Sequence, residues 1–473
     1  MYTSKLPKQT VITGLFFFLS AIIFSCTKVE DVAPVSADDR AAETSIVKPS
    51  NKPNIILILG DDIGYEVPTY TGGQSYSTPN IDNLAKKGMQ FTNCYSLPMC
   101  SPSRTEMLTG KYNNRNYGAY SWGHLDAGQK TFANMLHNAG YITCITGKWQ
   151  FDGGDSAIHG FGFDKYSVTN PYKILLGDYD QGDLSLYKNP TIYQYGAYLP
   201  TKDMKGKYGE DVNRDYLFKF IDSNKNKSKP FFAMWTPNLC HAPFSPTPDD
   251  PEFASWDPTA EGNRGDISFF PSMMKYFDKE VGMLMTKLQN TGLYNNTIVL
   301  LVVGDNGTDD DIKSMYNGEL YKGGKGFTFQ RGIHVPMIAF CPNKIAANAV
   351  NKNLVDFSDF MPTLADIAKV NVPANYGVID GKSFSAQLFG NPYTARTSSF
   401  GYYDANRWGP DNIPPTIYAM DYNYKQYDDS LGKRFYNYLT DMDEKIVITP
   451  AKMTIPQRKT STSLDSVIHS YLK

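Results

Sequence analysis

Two pairs of polar side chains, Asp61-Asp62 and Asp305-Asn306, stand directly behind two apolar runs, Asn54 to Gly60 and Thr297 to Val303. Each run has the length and continuity of a strand buried on both faces, as in a parallel sheet. In open α/β sheets, ligands collect beyond the carboxyl ends of such strands. Three carboxylates and an amide converging there would repel one another unless a cation joined them. An all-oxygen donor set selects a hard ion, Ca²⁺ or Mg²⁺. Taken singly, each pair reads equally well as a turn or a helix cap. Two pairs at equivalent strand ends favour a metal site with Asp61, Asp62, Asp305 and Asn306 as ligands.

The run Cys100-Ser101-Pro102-Ser103-Arg104, continuing Thr105-Glu106-Met107-Leu108-Thr109-Gly110, is the most specific stretch in the chain. Pro102 suits a first helical turn, where its missing N–H is not needed. Ser103 and Glu106 have capping-box spacing. A helix starting here turns the positive end of its dipole toward residue 100, which favours an anionic nucleophile and an anionic substrate. A buried free cysteine before an ordinary helix would account for Cys100, but not for the Pro, Ser and Arg that accompany it. The run resembles the signature Cys-x-Pro-Ser-Arg, followed by Thr-Gly, of the type I sulfatases. That resemblance implies that a maturation enzyme oxidises Cys100 to formylglycine, whose aldehyde hydrates to a gem-diol. One diol oxygen would attack sulfur, and the other would later collapse the sulfated adduct.

Further matches extend the resemblance over about residues 53 to 345. The family's metal ligands are an Asp-Asp pair after the first strand and an Asp-Asn pair after a late one, which again points to Asp61, Asp62, Asp305 and Asn306. In that family the ion also holds a sulfate oxygen and the formylglycine, which implies that the residue at Cys100 would join the metal site here. Gly147-Lys148-Trp149 resembles the segment whose lysine contacts the sulfate. His241-Ala242-Pro243 resembles the turn whose histidine protonates the leaving oxygen. Gly323-Gly324-Lys325-Gly326 resembles the segment that supplies a second cation. Arg104 would neutralise and orient the carboxylates. Lys148, Lys325, Arg104 and a divalent ion would together stabilise the charge spread over the sulfate oxygens in the transition state. Each residue also has a plainer reading, Lys148 and Lys325 as solvated loop lysines and His241 as a structural histidine.

One position departs from the family. Where it has histidine two residues after the lysine, this chain has Gln150, which can hydrogen-bond a diol oxygen but cannot act as a base near neutrality. Gln330 and His334 also stand where Glu and Arg are usual. The resemblance implies a hydrolase that removes sulfate from a sulfated carbohydrate. A phosphodiester or phosphonate monoester hydrolase of the same superfamily, and a non-catalytic lipoprotein that binds sulfated glycans, are the competing readings.

The elements that must position these residues follow an alternating pattern. Pro79 to Lys87 reads as a helix with Ile81, Leu84 and Ala85 on one face and Gly88 as its stop. Helices are expected over Thr131 to Ala139, Asp211 to Asn224 and Met273 to Gln289, and strands over Tyr141 to Thr146 and Pro230 to Trp235. This rhythm implies a mostly parallel α/β sheet. The family resemblance implies an alkaline-phosphatase-like sandwich over residues 53–350, with a smaller C-terminal α+β subdomain over 351–473. In the latter, Ile417 to Tyr427 and Arg434 to Thr449 look strand-like and Ser463 to Leu472 helical. Residues 170–208 break the alternation and read as an insertion over the sheet edge that could face substrate.

The first 25 residues read as a lipoprotein signal peptide. Lys5 and Lys8 precede an apolar run, Val11 to Phe24, that is shorter than the roughly 20 residues a membrane span needs. Ile23-Phe24-Ser25-Cys26 resembles a lipobox, so Cys26 would carry a lipid anchor at the periplasmic or cell surface, with simple secretion as the alternative. Residues 26–52 read as a flexible tether. The chain has 473 residues and a net charge of −2, which carries no footprint of a nucleic-acid partner. Its 33 tyrosines could stack on sugar rings, although filling of core and surface accounts for most of them. Cys94, Cys144, Cys240 and Cys341 match no zinc spacing and read as free buried thiols.

Overall fold

The computed structural model describes residues 52–116, 125–169, 186–258, 265–405 and 413–473. The expected signal peptide, Cys26 and the expected tether up to residue 51 lie outside the described residues, as do residues 170–185 of the expected insertion. Asn54–Leu59 forms β1, with all six residues buried. Among the described residues, ten further strands join it in one sheet: β2 (Met89–Tyr95), β3 (Ile142–Lys148), β4 (Lys165–Thr169), β5 (Ile192–Gln194), β6 (Ala197–Tyr198), β7 (Phe231–Thr236), β8 (Thr297–Val302) and, after an antiparallel hairpin of β9 (Lys313–Tyr316) and β10 (Glu319–Lys322), β11 (His334–Phe340), β12 (Ala349–Asn351) and β13 (Val355–Asp356). The order is β12-β2-β11-β8-β1-β7-β3-β4-β5-β6, with β13 also on β2. β11 runs against β2 and β8, and β5 against β4 and β6; the other pairings in this sheet are parallel. β1 lies in the middle, parallel to β7 and β8, with Ile56 opposite Ala233 on one side and Val299 on the other.

The pleat sends alternate residues of β1 to two cores. Ile55, Leu57 and Leu59 share one with Met107, Leu108, Phe132, Leu136, Phe360 and Leu364. Ile56 and Ile58 share the other with Ile81, Leu84, Leu217, Phe277 and Val281. Helices therefore cover both faces, which is why the central strands are apolar throughout. Helix α1 (Pro79–Lys87) buries Ile81, Leu84 and Ala85 and ends before Gly88, as expected. The helices Phe132–Asn138, Gly209–Asn224 and Phe270–Asn290 match the expected segments to within three residues. In the last, Phe270, Met273, Met274, Phe277, Val281, Leu284 and Leu288 form one continuous buried stripe at helical spacing.

Two expectations need correction. The chain after residue 350 does not leave the large sheet at once. β12 and β13 pair with β2, and Phe357, Phe360, Met361, Leu364, Phe384 and Leu388 lie in its core. The small antiparallel sheet begins only at β14 (Ser399–Tyr403) and continues through β15 (Thr416–Met420), β16 (Tyr424–Asp429) and β17 (Gly432–Asn437). The helix Ile455–Tyr471 covers it, with Leu464 and Ile468 against Phe400, Ala419 and Phe435. The capping box at Ser103 is also absent. The helix α2 spans Cys100–Thr109 and is preceded by Met99. The Ser103 hydroxyl turns back instead, donating to the Met99 carbonyl at 2.8 Å and accepting from the Leu97 N–H at 3.0 Å.

Candidate active site

Because β1 and β8 are adjacent and parallel, their carboxyl ends bring Asp61, Asp62, Asp305 and Asn306 together. The Asp62 N–H donates to Asp305 Oδ1 at 3.3 Å, and Asn306 Nδ2 donates to Asp62 Oδ1 at 2.8 Å. All four residues have no exposed surface. Asp62 has φ +57, a left-handed conformation that an Asp tolerates and that turns its carboxyl inward. β3 delivers Lys148 from the other side. Gly147 makes this possible, because its φ is +104 and a Cβ there would sit 2.0 Å from the Thr236 carbonyl oxygen. Thr236 Oγ1 in turn donates to the Lys148 carbonyl at 2.8 Å.

Each carboxylate has one cationic partner within hydrogen-bonding distance. Lys148 Nζ lies 2.6 Å from Asp61 Oδ2, Lys325 Nζ 2.5 Å from Asp62 Oδ2, and Arg104 Nε 2.7 Å from Asp305 Oδ2. Arg104 Nη2 also approaches Asp61 Oδ1 at 3.9 Å. Burial alone would raise the Asp62 carboxyl, but the Lys325 ammonium, with His241 and Lys148 behind it, holds it well below the usual range. Asp305 is pushed up to about 6 by burial and by the like charge of Asp61, against the pull of Arg104. Burial also pushes the Cys100 thiol up, so this residue is held as a neutral thiol, a weak nucleophile.

The donor atoms of Asp61, Cys100 and Asp305 lie within 4.8 Å of one another, and so do those of Asp61, Asp62 and His241. Among the described residues, Asp61 Oδ1 and Asn306 Oδ1 are buried and find no hydrogen-bond donor. Oxygen atoms left unpaired in a dry site are what a hard cation would satisfy, so these residues fit Ca²⁺ or Mg²⁺. Three acidic and three basic side chains balance, and a divalent ion would make the centre net positive. Such a centre, at the N-terminus of α2, accepts an anion.

The other expected residues are placed as follows. His241 Nε2 lies 3.8 Å from Asp62 Oδ2, and its Nδ1 meets the Ala242 carbonyl. Gln150 sits beside the cluster at φ +70 but donates from Nε2 to Ser101 Oγ at 2.8 Å, steadying the first turn of α2 through the residue after Cys100. Gln330 donates to the Tyr95 hydroxyl, and His334 stacks between Tyr65 and Tyr95 at 3.9 and 5.0 Å. The sequence carried no signal for Tyr187. Its hydroxyl contacts the carbonyls of Asn238 and His241, both at 2.7 Å, and holds the His241 turn. Glu210 supports the same turn, accepting from the Asn238 N–H at 3.0 Å and its Nδ2 at 2.8 Å. Cys94, Cys144, Cys240 and Cys341 are free and buried.

The chain is similar to known proteins over most of its length. The sulfatase family model matches residues 53–370, more than half of the chain, and the model of the C-terminal region of N-sulphoglucosamine sulphohydrolase matches residues 318–444. Arylsulfatase A of Bos taurus is 30% identical over 409 residues, covering 80% of this chain and 75% of that protein. N-acetylglucosamine-6-O-sulfatase of Bacteroides thetaiotaomicron is 25% identical, covering 78% of each chain. A solved structure in complex with its substrate D-glucosamine-2-N,6-O-disulfate superimposes with a TM-score of 0.70 at 20% identity, covering 89% of this chain and 98% of that one. The chain belongs to the type I sulfatase family of the alkaline phosphatase superfamily, enzymes that hydrolyse sulfuric esters.

Proposed function

We propose that this enzyme removes sulfate from a sulfated carbohydrate, with residue 100 acting as formylglycine and a divalent cation, Ca²⁺ or Mg²⁺, held by Asp61, Asp62, Asp305 and Asn306. The observation that carries the reading is the position of Cys100 at the N-terminus of α2, its sulfur grouped with the carboxylates of Asp61 and Asp305. The cation would supply Lewis-acid stabilisation of a sulfate oxygen, and the hydrated aldehyde the attacking oxygen. Lys148 and Lys325 flank that position with their ammonium groups and would bind the remaining sulfate oxygens. Arg104 holds Asp305 and faces Asp61, which keeps the carboxylates aimed at the ion. His241, with 20% of its side chain exposed at the rim of the cluster, would donate the proton that the leaving alcohol requires. Gln150 cannot take a proton from residue 100; through Ser101 it orients the turn that carries it.

The carbohydrate assignment is supported by the relatives, among them an N-acetylglucosamine-6-O-sulfatase. Export and anchoring through Cys26 belong to the same proposal, and Cys26→Ala should move the protein out of the membrane fraction. The central test is mass spectrometry of the peptide spanning residue 100 together with sulfate release from a panel of sulfated oligosaccharides. An active preparation carrying only the thiol would remove formylglycine from the mechanism. Matured protein that cleaves an aryl sulfate but no sulfated sugar would remove the substrate class.

A further inference from the structure

Lys325 stands on the loop between β10 and the short helix Gln330–Ile333, where Gly323 and Gly324 let the chain pack directly on the backbone of Asp309 and Arg331 and Gly326 turns it at φ +88. On its inner side the loop is tied down by backbone bonds, from the Lys325 N–H to the Thr308 carbonyl at 2.9 Å and from the Gly326 N–H to the Pro98 carbonyl at 2.8 Å. On its outer side it meets the small C-terminal sheet. The Nζ of Lys425, on β16, donates to the carbonyl of Thr328. Tyr427, two residues along the same strand, brings its hydroxyl 3.1 Å from Thr328 Oγ1.

This outer contact is built from a buried charge. Lys425 has no exposed surface. Its ammonium pairs with Glu444 Oε1 at 2.9 Å and lies 4.5 Å from the centre of the Tyr418 ring and 5.5 Å from that of Tyr427. Tyr427 also donates to Glu444 Oε2 at 2.5 Å. Burial pushes the Lys425 ammonium down, and Glu444 opposes that shift. A buried ion pair contributes little stability beyond what an apolar side chain of equal size would supply. A lysine here does what methionine cannot: it grips one chosen carbonyl in one direction.

We infer that Lys425 is a positioning residue for Lys325: with Glu444 and Tyr427 it clamps the Thr328 backbone and fixes the glycine-rich loop so that the Lys325 ammonium meets Asp62 and the sulfate. The C-terminal sheet thereby takes part in building the active site. The inference rests on the reading of Lys325 as a sulfate-binding group. Its loop-holding part is independent of that reading.

The test uses the matured full-length enzyme and the variants Lys425→Met, Lys325→Ala and their combination. Lys425→Met should lower kcat/KM for an aryl sulfate by about 10²-fold, the scale of a small misplacement of a binding group. In the Lys325→Ala background the same change should have almost no effect, because the group it positions is gone. Hydrogen exchange at Lys325, Gly326 and Phe327 should speed up in Lys425→Met, while the amides of β15 and β16 keep their protection. Tyr427→Phe, which removes one hydroxyl, should give the same pattern at smaller amplitude and serves if Lys425→Met does not fold. Equal losses in both backgrounds, or unchanged exchange in the loop, would overturn the inference. If Lys325→Ala retains full activity, the sulfate-binding role of Lys325 fails, and the exchange data still decide whether Lys425 holds the loop.

Discussion

Replacing Lys148 by methionine removes one charge while keeping most of the side-chain volume, and its consequences separate folding from catalysis. Lys148 Nζ is 2.6 Å from Asp61 Oδ2, with 13% of the lysine side chain exposed and none of the aspartate. Asp61 Oδ1 has no hydrogen-bond partner among the described residues, and Arg104 Nη2 lies 3.9 Å from it. The variant therefore leaves a buried carboxylate with one distant counter-charge. Breaking a buried pair in this way costs about 3 kcal/mol, the low end of the range because Arg104 remains. Excess Ca²⁺ should recover part of that loss by binding the freed oxygen. For the reaction, an ammonium about 4 Å from a sulfate oxygen, at an effective dielectric constant of roughly 20, is worth about 4 kcal/mol. That corresponds to about a 10³-fold loss in kcat/KM. Urea unfolding with and without Ca²⁺ reads the first effect, and sulfate release from an aryl sulfate reads the second. A variant destabilised as expected, yet within tenfold of wild-type kcat/KM, would show that Lys148 serves Asp61 and not the substrate.

Elemental analysis of the purified protein should find about one Ca²⁺ or Mg²⁺ per chain, reduced together with activity in Asp61→Asn; stoichiometric zinc would contradict the oxygen donor set. His241→Ala should slow an unactivated sugar sulfate by about 10²- to 10³-fold and a nitrophenyl sulfate far less, because a good leaving group needs little protonation. Equal slowing of both substrates would reduce His241 to a positioning role. His334 is pushed down to about 4 from 6.5 by burial, so its contribution to stability is complete above pH 6.5 and is lost as pH falls toward 4. His334→Phe, which keeps the stack with Tyr65 and Tyr95, should remove about 2 kcal/mol of the decline in unfolding free energy between pH 7 and pH 5. An unchanged decline would place the titration elsewhere.

Several groupings of side chains were expected before the fold was known. The runs at Asn54 and Thr297 are apolar throughout because both faces of a central parallel strand are covered, so their strand character and the acidic pairs behind them were visible together. Cys100, Lys148, His241 and Lys325 were singled out by the family resemblance, and the fold brings all four to the Asp61–Asp62 carboxylates or the Asp305 carboxylate beside them. The stripe on Phe270–Asn290 and the buried face of α1 followed from helical spacing.

Tertiary structure decided the rest. β2 and β11 carry no compositional mark that says they pair with each other and, through β11, with β8, because strand order is set by packing across the whole sheet. The boundary of the small sheet fell at Ser399 and not near residue 350, since β12 and β13 found an edge on β2 that local sequence does not announce. Gln150 faced Ser101, and Ser103 turned to Met99 in place of capping the helix, because a polar side chain bonds to whichever partner the fold brings within reach. Lys425 and Thr328 meet across 97 residues of chain. Residue type and spacing specify which groups are available for chemistry; only the folded backbone specifies which of them touch, because a hydrogen bond or an ion pair is decided over a few ångströms while sequence separation places no limit on approach.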